Sequence, residues 1–122
     1  MTQDDYGSRR RPALVESSGT YSYPAVNTEQ TVFDDTTPGY RRIQGALDFT
    51  NYTAARVITI RIKEEIDGTN LRTVDELDYT VGTDPMAKFD FHTRRDARVT
   101  MQIDIAEAGA TNTPWYRTAE VK

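Results

Sequence analysis

The chain has 122 residues, one histidine (His92) and no cysteine. The absence of cysteine excludes a thiolate nucleophile, a disulfide framework and a Cys-ligated zinc site. Acid–base or nucleophilic work near neutral pH needs groups that exchange protons there. His92 is such a group, but Arg94 and Arg95 beside it mark it as a surface residue. Triads assemble from distant positions, yet no G-x-S-x-G elbow is present to start one. Enzyme therefore ranks last among the function classes, and no catalytic residue is assigned.

Carboxylates cluster at Glu64, Glu65 and Asp67 and again at Asp75, Glu76 and Asp78. Ca²⁺ takes several oxygen ligands, so a cation held near Glu64, Glu65 and Asp67 is one reading. The spacing matches no EF-hand loop. Arg61, Lys63 and Arg72 lie close in sequence and favour the other reading, a solvated, ion-paired sheet face. No metal ligand and no cofactor are assigned. Basic residues occur as Arg9–Arg11, Arg41-Arg42 and Arg94-Arg95, but the formal net charge is -4. A nucleic-acid binder carries a concentrated basic face, so these groups point to acidic protein surface instead. G-x-G-x-x-G and P-loop patterns are missing. Asn51-Tyr52-Thr53 fits the N-glycosylation acceptor pattern in an expected loop. No run reaches the ~18 apolar residues of a membrane-spanning helix, and the opening Met1–Tyr6 has no apolar core of a signal peptide.

The elements that must position these groups read as strands. Ile58, Ile60 and Ile62 alternate with Thr59, Arg61 and Lys63, the period of a strand with one buried face. Asp67-Gly68 supplies a turn, and Leu71–Tyr79 returns as a less buried strand of a central hairpin. Val99, Met101, Ile103 and Ile105 alternate inward, with Thr100, Gln102 and Asp104 outward. Phe89 and Phe91 share one face of their strand. Trp115, Ala119 and Val121 share a face of the closing strand. Gly45 shares parity with Ile43, Leu47 and Phe49, and either leaves room for a facing aromatic or marks a bulge. Pro38-Gly39 and the Gly82–Pro85 stretch break the chain. Turn signals every ~8–12 residues predict an all-β fold, a single antiparallel β-sandwich of jelly-roll or Ig-like type with about 7–8 strands. The division expected is an extended N-terminal arm over residues 1–27 and the sandwich over residues 28–122.

The arm has few large aliphatics, so it reads either as a loose leader or as a segment lying on a neighbouring subunit. In the second reading Tyr6, Tyr21 and Tyr23 are the anchors and Arg9, Arg10 and Arg11 the charge partners, since tyrosine and arginine are enriched at such contacts.

The order of elements resembles a group of small virion proteins of tailed phages and related viruses. The resemblance runs from Thr28-Glu-Gln-Thr-Val-Phe33 through Gly45–Asn51 and Ile60–Asn70 to Val99–Gln102 and Trp115-Tyr116. It implies a β-sandwich structural protein that decorates the capsid exterior, with the major capsid protein or other virion proteins as partners, a homo-oligomer such as a trimer, and neither nucleic acid nor membrane as partner. In that setting deletion of Met1–Pro24 is expected to leave a folded domain. The alternative is a carbohydrate- or receptor-binding sandwich of a phage tail or cell surface, with Tyr40, Tyr52 and Trp115 as platform and Asp48 or Asn112 beside it. Trp115 in the core is the competing placement.

Overall fold

A computed structural model describes residues 13–121. Eight strands follow one another: β1 (Ala13–Tyr23), β2 (Gln30–Asp35), β3 (Arg41–Asp48), β4 (Val57–Glu65), β5 (Leu71–Thr80), β6 (Met86–Thr93), β7 (Ala97–Ile103) and β8 (Thr111–Val121). They form two four-stranded sheets in the orders β1-β8-β3-β6 and β2-β7-β4-β5. All six strand pairings are antiparallel. Six of the seven connections pass from one sheet to the other and only β4 and β5 follow one another as neighbours, the double Greek key of a jelly roll. Of the two sandwich types expected, the jelly roll is the one formed.

The period-two stretches pair as the sequence implies. Ile58, Ile60 and Ile62 are buried and face Val99, Met101 and Ile103, which are 0% exposed, with Ile60 opposite Met101 in register. The β4–β5 hairpin closes over residues 66–70. Asp67 accepts hydrogen bonds from the backbone N–H of Thr69 and Asn70 and from Asn70 Nδ2, and Gly68 takes φ 86°. Gly45 leaves room for a facing aromatic: a Cβ there would collide with the Phe89 ring and the Tyr116 carbonyl.

Three placements differ from the sequence reading. The stretch read as an arm up to residue 27 contributes β1, paired with β8 over every residue from Ala13↔Val121 to Tyr23↔Thr111. Tyr23 is 1% exposed in the core; its hydroxyl donates to the Thr28 carbonyl at 2.6 Å and accepts from Ile103 N–H. Removal of Met1–Pro24 would strip a strand and a core aromatic, so it cannot leave the sandwich intact. Ile105 lies beyond the end of β7 and is exposed, because the backbone turns at Asp104, whose N–H bonds the Val57 carbonyl. Thr100 is buried rather than outward-exposed, covered by Glu29, to which its hydroxyl donates.

A buried ion pair fastens the two sheets at one end. Arg41 of β3 and Asp35 of β2 are 0% and 2% exposed, with Nε–Oδ1 at 2.8 Å. Three of the remaining four guanidinium protons go to the carbonyls of Asp35, Gly39 and Arg95, while Asp35 also accepts from Thr37 N–H. A buried charge tolerates its site only when so fully hydrogen-bonded.

Candidate interaction surface

The outer face of β2-β7-β4-β5 is a lattice of paired charges. Arg61 bonds Glu76 at 2.7 Å and Gln102 at 2.8 Å. Lys63 pairs with Glu29 at 3.0 Å, Arg98 with Asp34 at 2.6 Å, and Thr59 donates to Asp78. Partial burial alone would raise the Glu29 carboxyl, but the hydrogen bonds from Thr100 and Lys63 and the charges of Lys63 and Arg61 outweigh it and hold the group below its usual range. The hairpin acids are paired likewise: Glu65 with Arg95 at 3.5 Å and Asp67 with Arg72 at 3.8 Å. Hydrogen bonds from the Asn70 side chain and the Asn70 and Thr69 backbone bring Asp67 down to about 2. Among the described residues no group of three His, Cys, Asp or Glu side chains is placed to hold a metal ion.

The outer face of β1-β8-β3-β6 is built differently. Register places Ser18, Tyr116, Ala46 and Lys88 in one row across the four strands. Tyr116 is 51% exposed, over a nearly covered Ala46. Three shallow depressions meet at its ring. One of about 240 Å³ is lined by Glu16, Ser18 and Thr118. A second, of about 230 Å³, is lined by Ala46, Met86 and Pro114. The third, about 360 Å³, is lined by Gln44, Lys88 and Asp90. The carboxylate of Glu16 and the ammonium of Lys88 form no ion pair with another described residue. Asp90 is held by a two-point contact with Arg42 (2.9 and 2.7 Å), which keeps its carboxyl below the usual range.

The residues singled out from sequence do not converge. Tyr6, Arg9, Arg10 and Arg11 lie outside the described residues. Tyr21 is partly buried against the core, edge-on to Tyr23. Tyr23 is consumed by the fold and presents no anchor. Tyr52 is buried; its hydroxyl shares a 2.6 Å hydrogen bond with Thr113, and burial pushes its pKa up to about 12. Trp115 points inward, its ring 5.1 Å from Phe33, so the core placement holds. Tyr40 is exposed but stacks on His92 at 5.7 Å, with Arg94 on it at 5.3 Å; His92 is thus a surface residue. Tyr116 was missed. Its position two residues after Pro114 and next to inward Trp115 gave the one usable signal, since alternation turns it outward.

No family model matches this chain, and no curated protein matches it. Solved structures do. A Bacillus endospore appendage protein, described as one of a family of disulfide-linked pili, matches at 17% identity and TM-score 0.52 over 92% of each chain. The infectious bursal disease virus VP2 subviral particle matches at 14% identity and TM-score 0.60 over 92% of this chain and 33% of that one. The Gx strain of the same virus gives 16%, 0.59, 91% and 33%. This chain therefore spans about a third of the viral chains it matches. At such identity the likeness shows the fold: the molecule is a jelly-roll β-sandwich of the kind found in a viral capsid protein and a pilus protein.

Proposed function

We propose that this chain is a non-enzymatic structural protein of a virion, a jelly-roll unit that docks on the outside of a major capsid protein lattice. The carrying observation is the contrast between its two outer faces. One is closed by internal ion pairs; the other offers Tyr116 in a row of small groups and a lysine without an ion pair among the described residues. An exposed aromatic ringed by polar side chains is the composition of a protein-binding patch. Tyr6 and Arg9–Arg11 supply further contacts to acidic capsid surface. Cosedimentation with assembled capsids of a candidate major capsid protein tests the reading. Full-length chain is expected in the capsid fractions and a chain lacking residues 1–12, which keeps β1, in the free fractions. Full occupancy by that truncated chain would refute the role of the segment; no binding by the full chain would refute the function.

The depression lined by Gln44, Lys88 and Asp90 beside the Tyr116 ring favours a second reading, a carbohydrate-binding module. The platform is then Tyr116 rather than Tyr52 or Trp115. Hits on a glycan array that vanish in Tyr116→Ala would select this reading over capsid docking.

A further inference from the structure

The four edge strands among the described residues are unequally guarded. Edge strands expose unpaired backbone N–H and C=O groups, and proteins blunt them with charges, bulges or shortness. β2 has six residues, a register shift between Thr31 and Phe33, and ends in Asp34-Asp35. β5 has a shift between Ile62 and Lys63 on its partner that leaves Val74 unpaired, and it carries Asp75, Glu76 and Asp78. β6 alternates Lys88, Asp90 and His92 along its outer side. β1 has none of these devices. It runs 11 residues without a bulge, its one charge is Glu16, and Leu14 and Val15 are 58% and 49% exposed.

We infer that the free edge of β1 pairs with β1 of a second copy of this chain, antiparallel about Ser18, joining two β1-β8-β3-β6 sheets into one. Full overlap of the two strands sets Ser18 against Ser18, Ser17 against Gly19, Glu16 against Thr20, Val15 against Tyr21, and Leu14 against Ser22. No like charges oppose. The exposed Val15 gains an aromatic neighbour twice, a favourable cross-strand pair. Pro12 and Pro24 stand equidistant from Ser18 in the sequence, and proline has no N–H to extend a ladder, so the same register ends at a proline on both sides. The same operation on β5 would set Asp75 against Glu76 twice, a repulsive arrangement. Behind β1 the wall is firm: Arg117 stacks on Phe33 at 4.3 Å and donates to Ser17 Oγ and the Asp34 carbonyl. The pair is isologous and closes at two copies.

Sedimentation equilibrium of the full chain tests this without any capsid, so its outcome is independent of the proposed function. The expected mass is that of a dimer. Ser18→Lys and Ser18→Glu each place like charges at the two-fold axis and are expected to sediment as monomers with unchanged near-ultraviolet circular dichroism. Their equimolar mixture is expected to regain the dimer. A wild-type monomer or trimer overturns the inference. So do variants that dimerise unmixed, or a mixture that stays monomeric.

Discussion

The two outer faces of the sandwich spend their polar residues in opposite ways. On β2-β7-β4-β5 nearly every long charged side chain has found another, so the face is chemically saturated. On β1-β8-β3-β6 the polar groups are shorter and sparser, and Glu16 and Lys88 beside Tyr116 form no ion pair among the described residues. Between the faces sits Arg41–Asp35, the same pairing chemistry taken wholly out of solvent. The difference teaches that an ion pair's consequence here depends on burial, and that a surface available to partners is the one whose charges are not already occupied.

The buried pair gives the strongest way to break that picture. Arg41→Met leaves the buried Asp35 only the Thr37 N–H and a 3.8 Å contact with Arg117 and is expected to lower unfolding free energy by about 3–5 kcal/mol, read from urea denaturation. If the loss is no larger than for a surface pair, burial is not what separates the two cases. Gly45→Ala comes next, at about 1–3 kcal/mol from overpacking, because both the Phe89 ring and a strand carbonyl would have to give way. Thermal melts of this variant measure how rigidly β3 is held beneath the Tyr116 face.

The saturated face should respond to acid more than to single deletions. Glu29 on that face, and Asp90 beside Arg42 on the other, titrate below their usual ranges in the folded chain. The unfolded chain therefore binds protons first as pH falls. Their stabilisation is present above the ordinary carboxylate values, 4.5 for Glu29, and is lost as pH drops through the depressed folded values. Glu29→Gln should show a shallower decline of stability below that point, measured by denaturation at a series of pH values. Arg61→Ala, removing one partly buried partner of a surface pair, is expected to cost no more than about 1 kcal/mol. Tyr116→Ala should change stability least, within about 0.5 kcal/mol, while weakening partner binding in the cosedimentation assay. A stability loss as large as that of Gly45→Ala would make Tyr116 a packing residue and dissolve the contrast between the faces.

The strands with period-two aliphatics were legible because burial of one face leaves its mark in residue type. So was the space at Gly45, since only an approaching ring or a bulge explains glycine at an inward position. β1 was not legible as a full strand. Ser17-Ser18-Gly19 has no strand signature of its own, and its conformation is set by pairing with β8, a hundred residues away in sequence. Tyr23 looked like an anchor because tyrosine serves both surfaces and cores, and only the partners Thr28 and Ile103 decide between them. Arg41 read as half of a basic doublet, and Asp35 drew no attention. Their burial follows from the step of the chain from β2 in one sheet to β3 in the other, which local pattern does not encode. The Tyr116 face was hidden for a related reason: an outward aromatic beside an inward one reads as core until the register is known.

One consequence follows from the register of β1 with β8. Ala13 lies opposite Val121, so the outer ends of the first and last strands meet at the same rim. The loop from Asp104 to Ala110 has an exposed Gly109 with open space around it, and new ends are best tolerated at such exposed positions. The chain can therefore be rewired, with a short linker joining β8 to β1 and a cut at Gly109, while all eight strands keep their neighbours. Cargo joined directly at Ala13 or Val121 would emerge from one rim, and cargo joined at the permuted ends from the β7–β8 loop, giving one scaffold two addresses for display.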